Sequence, residues 1–114
     1  MDDSTALLTL TGVTTGRYVL TTRSGTRHVL DLDARTVTRY GAPGREWTEQ
    51  TDFGMGLVGA DEEPFHYTLL GGAAVGESMR VESRGGYLDA DLWRRTSTIV
   101  SIEPLTEEND PSRR

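Results

Sequence analysis

Cysteine is absent from this 114-residue chain, and with it go disulfides, thiolate nucleophiles, iron-sulfur clusters and every cysteine-ligated zinc site. Stability must come from packing, and the absence fits a reducing compartment. Lysine is absent too, since all twelve bases are Arg, so a P-loop lysine, a Schiff base or a pyridoxal linkage is ruled out. Asn and Gln occur once each, and aromatic residues make up 7% of the chain. The longest weakly polar run, Leu69 to Gly76, is far too short to span a bilayer, and Met-Asp-Asp at the start is acidic where a signal peptide is basic. These features predict a cytoplasmic protein with no membrane contact.

Acids outnumber bases 18 to 12, giving a net charge of −6, a poor balance for binding nucleic acid by phosphate neutralisation alone. The excess sits at the ends. Asp2 and Asp3, with Glu103, Glu107, Glu108 and Asp110 against Arg113 and Arg114, carry −4 of it and leave −2 for residues 4–102. The length allows one domain with one modest core.

Sixteen Thr, eight Val and thirteen Gly describe short strands with frequent turns. The clearest pattern is Gly16 to Tyr40, where Tyr18, Leu20 and Thr22 alternate with Arg17, Val19 and Thr21, and His28, Leu30 and Leu32 alternate with Arg27, Val29 and Asp31. Register follows from asking which loop leaves the apolar residues on one face. A two-residue Ser24-Gly25 turn sets Tyr18 against Asp31 and fails. A three-residue loop, Arg23-Ser24-Gly25 with Gly25 left-handed, sets Tyr18 against Leu30, Leu20 against His28, Arg17 against Asp31 and Val19 against Val29. Asp33-Ala34-Arg35-Thr36 then reads as a type I turn leading to a third strand in which Val37 meets Leu32.

Ala6 to Val13 reads as a further strand. Glu77 to Glu82, with Met79 and Val81 on one face, is another; Gly85-Gly86 reads as the next turn. Tyr87 to Trp93 and Thr96 to Ile102 complete the set, the last with Thr98, Val100 and Ile102 on one side and Ile99 on the other. The expected fold is all-β, a small barrel or compact sandwich of about seven short antiparallel strands. Its single β domain covers residues 1–105. Residues 41–65 form a long irregular loop or arm, of the kind that is functional or disordered, and 106–114 a polar, solvated C-terminal tail.

The stretches Gly16-Arg17-Tyr18, Thr22-Arg23-Ser24-Gly25, Asp31-Leu32-Asp33, Thr36-Val37-Thr38-Arg39 and Arg95-Thr96-Ser97-Thr98-Ile99-Val100-Ser101-Ile102 resemble small uncharacterised β proteins of actinobacteria and their phages. The resemblance covers about half the chain, at its two ends. It implies a shared barrel and, through its phage members, a virion component or accessory protein. It brings no activity.

Chemistry-bearing patterns are few. Asp31-x-Asp33 and Asp89-x-Asp91 place paired carboxylates about 7 Å apart on a strand face, but Asp31 already faces Arg17 and Asp33 begins a turn, so no metal site is assigned. His28 and His66 are the only histidines. A Ser-His-Asp arrangement using Ser24, Ser78 or Ser97 has no support, because Gly76-Glu77-Ser78-Met79-Arg80 lacks the second Gly of a nucleophile elbow and His28 reads as a packed rim residue. Gly71-Gly72-Ala73-Ala74-Val75-Gly76 misses the dinucleotide-binding spacing and reads as a turn where backbones approach closely. No enzyme activity, catalytic residue or cofactor is expected.

The first functional expectation is a protein–protein interaction or assembly module, binding itself or a larger assembly through Trp47, Phe53, Met55 and Trp93. An alternative is a small-barrel module for single-stranded nucleic acid using Arg39, Tyr40, Arg45, Arg94 and Arg95, which requires these Arg to gather on one face. A third is an acidic inhibitor that presents the carboxylates of the chain ends. Cytoplasmic location would give way to the virion for a phage-derived protein.

Overall fold

Alternating β-branched and polar residues form strands here because each strand can bury one side chain in two against a common interior. The computed structural model describes residues 7–41, 48–51, 56–58, 62, 64–87 and 90–113; for 48–51, 56–58, 84–87 and 90–92 the account is of backbone pairing alone. Its strands are β1 (Arg17–Thr22), β2 (Arg27–Asp31), β3 (Thr36–Tyr40), β4 (Thr48–Thr51), β5 (Gly56–Val58), β6 (Phe65–His66), β7 (Leu69–Gly71), β8 (Ser78–Tyr87) and β9 (Ala90–Pro104). All pair antiparallel in the order β5-β4-β9-β1-β2-β3-β6, with β8 and then β7 branching from β9. The expected all-β fold is adopted as a sheet curled into a half-barrel. No helix among the described residues is long and apolar enough to cross a membrane.

The β1–β2 hairpin has the register derived from the sequence, with Arg17 opposite Asp31, Tyr18 opposite Leu30, Val19 opposite Val29 and Leu20 opposite His28. Gly25 has φ 88°, and its N–H donates to the Thr22 carbonyl across the three-residue loop. The next connection differs from expectation. Asp31, rather than Asp33, organises it: its Oδ1 accepts the N–H groups of Asp33 and Ala34, while Asp33 Oδ2 accepts the N–H of Gly16. The turn therefore takes four residues, 32–35, with Arg35 at φ 56° and Asp31 paired with Thr36. Val37 consequently meets Leu30, not Leu32.

Of the expected strand Ala6 to Val13, residues 7–13 are described and form no regular strand. Among them Leu7 bridges to Ile102 and Thr9 to Ala74, and the chain turns after Leu10, where the Val13 N–H donates back to the Leu10 carbonyl. Tyr87 ends β8, and residues 90–93 and Thr96 to Ile102 are not separate strands either, but parts of the fifteen-residue β9. Gly85-Gly86 lies inside β8, in a stretch where Ser83 pairs with Leu92 and Tyr87 with Ala90. Four steps along β8 match two along β9 there, so the glycines occupy an irregularity in the ladder and the hairpin reverses beyond Tyr87.

Two bulges in β9 overturn the side assignment of its last residues. Ser78 pairs with Thr98 but Arg80 with Arg95, and Thr21 pairs with Ser101 but Thr22 with Ile99, so β9 carries one extra residue at each place. An extra residue reverses the alternation. As a result Ile99 and Ile102 both lie in the core, fully buried, while Val100 between them is half exposed. With them the core holds Leu10, Leu20, Leu30, Val37, Phe65, Tyr67, Met79 and Val81.

Val19 is buried on the opposite face, on the side to which the C-terminal residues return. The Leu105 N–H donates to the Arg17 carbonyl, Asn109 Nδ2 donates to the Pro104 carbonyl, and Pro111 is fully buried. Hydrogen bonds from the Ser112 hydroxyl and N–H hold the Asp110 carboxyl below its ordinary range, with smaller help from Arg113 and Arg17. Gly72, at φ 76°, passes so close to β8 that a Cβ would collide with the Ser78 carbonyl oxygen, as expected of its glycine-rich turn.

Gly25→Val is expected to destabilise the protein by roughly 1 kcal/mol or more through left-handed backbone strain. In a thermal melt this is a loss of about 4 °C or more, with Gly25→Asn losing less. A melt unchanged by the valine would contradict the hairpin geometry.

Candidate functional site

One end of the half-barrel is left open and polar by the same alternation that fills its middle. Beyond Leu20 and His28, the next inward pair of β1 and the incoming β2 chain is Thr22 and Thr26, both buried; on β3 the position after Val37 on that face is Arg39. From the other wall come Met79 and Val81 of β8 and Arg94 of β9, which is paired with Val81. Together with Ser24, Arg95, Thr96 and Ser97 they line a cavity of about 180 Å³.

The first bulge of β9 shapes this wall. Arg94 and Arg95 pair regularly with Val81 and Arg80, so they alternate across the strand, and the extra residue falls after them, between Arg95 and Thr98. Arg94, Arg95, Thr96 and Ser97 all border the cavity. The Thr96 hydroxyl closes the gap in the ladder: it accepts the Met79 N–H at 3.0 Å and donates to the Ser97 carbonyl at 2.7 Å. Around the rim Ser24 Oγ shares hydrogen bonds with Thr22 Oγ1 at 3.0 Å, Ser97 Oγ at 3.1 Å and Thr26 Oγ1 at 3.3 Å. That cluster ties the β1–β2 loop to the bulge.

Two guanidinium groups dominate the electrostatics. Arg39 is only 8% exposed. Arg94 lies half-buried with its guanidinium carbon 4.3 Å from the centre of the Phe65 ring. Burial, and after it the charge of Arg39, push the Arg94 guanidinium down to about 10. Among the described residues the lining includes no carboxylate, and both Arg39 and Arg94 border an apolar floor of Val37, Met79 and Val81 in a chain that is acidic as a whole.

Of the nucleic-acid candidates, Arg39, Arg94 and Arg95 meet in this cavity; Tyr40 ends β3 opposite Arg27, half-buried, and Arg45 lies outside the described residues. Of the interface candidates, Trp93 is half-buried beneath Arg80, whose guanidinium stands 4.5 Å from the indole centre and pairs with Glu82 at 3.1 Å. Trp47, Phe53 and Met55 lie outside the described residues. His28, Ser24 and Ser97 share the cavity, and no Asp or Glu is among its described lining residues. Asp31 and Asp33 spend their carboxylates on backbone N–H groups, and no cluster of three metal-ligating side chains occurs among the described residues.

Sequence reasoning passed over Thr22, Thr26, Met79, Val81 and Phe65 as parts of a site. Thr22 and Thr26 follow from the hairpin register, one pair beyond Leu20 and His28. The contribution of Phe65 depends on β6 pairing with β3, which has no local signal.

Arg94→Met keeps the stem that packs on the core and removes the charge that burial and Arg39 oppose. The melting temperature is expected to hold or to rise, by about 5 °C at most. A fall of several degrees would show that the guanidinium serves stability. No protein-family model matches the chain, and no curated protein and no solved structure is significantly similar to it, so what this cavity does rests on its own chemistry.

Proposed function

We propose that the protein is a non-enzymatic binding module that engages an anionic segment of a protein partner at the open end of its half-barrel. The observation that carries the reading is the meeting of Arg39, Arg94 and Arg95 in one cavity of an otherwise acidic chain. An incoming anion would meet these guanidinium groups with charge-assisted hydrogen bonds. Catalysis is not part of the proposal.

The gathering of three Arg also answers the requirement set for a single-stranded nucleic-acid module. Geometry favours the protein partner nonetheless. Arg39 is buried and Arg94 half-buried, so they address one group inside a cavity rather than successive phosphates along a groove. The acidic-inhibitor alternative gains little, since Glu107 lies 4.0 Å from Arg113 and Asp110 is engaged by Ser112. The likeness to actinobacterial and phage β proteins extends the proposal to a phage or prophage structural or accessory protein, working in the cytoplasm or in a virion.

Labelled single-stranded DNA and RNA, and a labelled peptide with an acidic C-terminal stretch, distinguish the readings when titrated at low and physiological salt. The peptide is expected to bind and Arg94→Ala to abolish its binding, with no nucleic-acid binding at physiological salt. Nucleic-acid binding that weakens with a log–log salt slope of about −0.7 per contact, and loses a contact in Arg94→Ala or Arg95→Ala, would overturn the protein-partner reading.

A further inference from the structure

Two fully buried apolar residues, Val19 and Pro111, stand outside the core cluster. Val19 lies on the outer face of β1, between Glu103 of β9 and Val29 of β2, where alternation turns it away from Leu20 and the interior. A side chain there stays dry only if something lies over the sheet. The residues that follow β9 return to that face. The Leu105 N–H donates to the Arg17 carbonyl, and Asp110 stands close enough to Arg17, two residues from Val19 on the same face, to feel its charge. Pro111 comes next, and it is the one buried residue of 106–113.

The bonding of this segment is turned inward on itself. Asn109 Oδ1 accepts the Thr106 N–H at 2.7 Å, and Thr106 Oγ1 accepts the Asn109 N–H at 3.3 Å, a reciprocal pair that closes one turn. Asp110 Oδ1 accepts the Ser112 N–H at 2.9 Å and the Ser112 hydroxyl at 2.6 Å, while the Asp110 carbonyl accepts the Arg113 N–H. Glu107 and Arg113 face each other at 4.0 Å. Among the described residues, every hydrogen bond and ion pair of 106–113 thus closes within 104–113. The one that reaches back to a strand runs from Asn109 Nδ2 to the Pro104 carbonyl. No hydrogen bond ties the segment to the face it covers, where its hold is the burial of Pro111.

We infer that residues 106–113 form a clasp, closed by Pro111, that opens as one body about Leu105 and uncovers the Val19 face of β1 while the half-barrel stays folded. Opening breaks one hydrogen bond to β9 and withdraws one proline ring, and the bonds inside the clasp travel with it. A unit with so few attachments opens at a free energy below that of global unfolding. The core is untouched, because Val19 and Leu20 point to opposite faces. The apolar strip under the clasp continues from Val19 to half-buried Val29 across the ladder. It lies on the other side of the sheet from the cavity, so the device is independent of what the cavity binds.

The absence of cysteine supplies the test, since one introduced thiol is the only thiol in the chain. Val19→Cys places it beneath the clasp, and Leu20→Cys places it in the core one position along. Labelling by a soluble disulfide reagent is followed at low urea concentrations, and the global stability of each variant is measured by full urea unfolding. Val19→Cys is expected to label about a hundredfold faster, or more, than its own global unfolding allows, at a rate that hardly changes with urea because opening exposes little surface. Leu20→Cys should label only through global unfolding, with a steep urea dependence. Pro111→Ser and Asn109→Ala should each speed Val19→Cys labelling about tenfold or more. Gly25→Val strains the hairpin whether the clasp is open or closed, so it should speed Leu20→Cys labelling about fivefold or more and leave Val19→Cys labelling unchanged. Pro111→Cys reads the same opening from the side of the clasp if Val19→Cys does not fold.

Three results would overturn the inference. Val19→Cys labelling with the steep urea dependence of Leu20→Cys would mean that the segment leaves only with the whole fold. A fast rate that Pro111→Ser does not alter would mean that the proline does not close the clasp. A rate raised by Pro111→Ser but not by Asn109→Ala would mean that the chain frays from Pro111 onward, and that there is no single body.

Discussion

The pairing of β9 with three other strands is the constraint on which the molecule depends. Along one edge it carries β8; along the other it carries β4 near its start and β1 near its end. A strand of fifteen residues with strict alternation would have to divide Ile99 and Ile102 between interior and solvent. The bulge opposite Thr21 and Thr22 avoids this, and it lets two isoleucines of odd spacing share one core. The other bulge, opposite Ser78 to Arg80, falls at Thr96 and Ser97, which border the cavity. One strand thereby serves as both the spine of the core and a wall of the site.

Core and cavity are successive levels of one interior. Leu20, Leu30 and Ile102 fill the middle without any polar atom from their side chains, and His28, Thr22 and Thr26 follow on the same face toward the open end. Val37, Met79 and Val81 belong to both, being core below and floor above. Rigidity at the site is inherited from this arrangement: Arg39, Arg94 and the rim hydroxyls are mounted on strands or at their ends, rather than on a long loop.

What could be read in the sequence was what depends on near neighbours. The β1–β2 register was legible because a three-residue loop leaves one arrangement in which Tyr18, Leu20, His28 and Leu30 agree. Met79 and Val81 were legible from simple alternation. The next turn was misplaced by two residues because Asp31 and Asp33 are equally good caps in isolation, and only the approach of Gly16 occupies Asp33. The β9 bulges left no trace, since an extra residue is defined by the partner strand and not by the strand that holds it. Arg94 and Arg95 were visible as neighbours in the chain, but that both border one cavity with Arg39 was not.

The connectivity of the sheet also sets an order of assembly. The β1–β2–β3 meander closes across loops of three and four residues, whereas β1 and β9 join positions about eighty residues apart, as Leu20 and Ile102 do. Loop-closure entropy rises by about 0.6 kcal/mol for each doubling of length, so the long closure costs about 2.5 kcal/mol more than either turn. Contacts of that range slow folding. Until β9 docks, the meander presents Leu20, Leu30 and Val37 to water as an uncovered apolar face, and a nascent chain holds that face open until its last strand has been made.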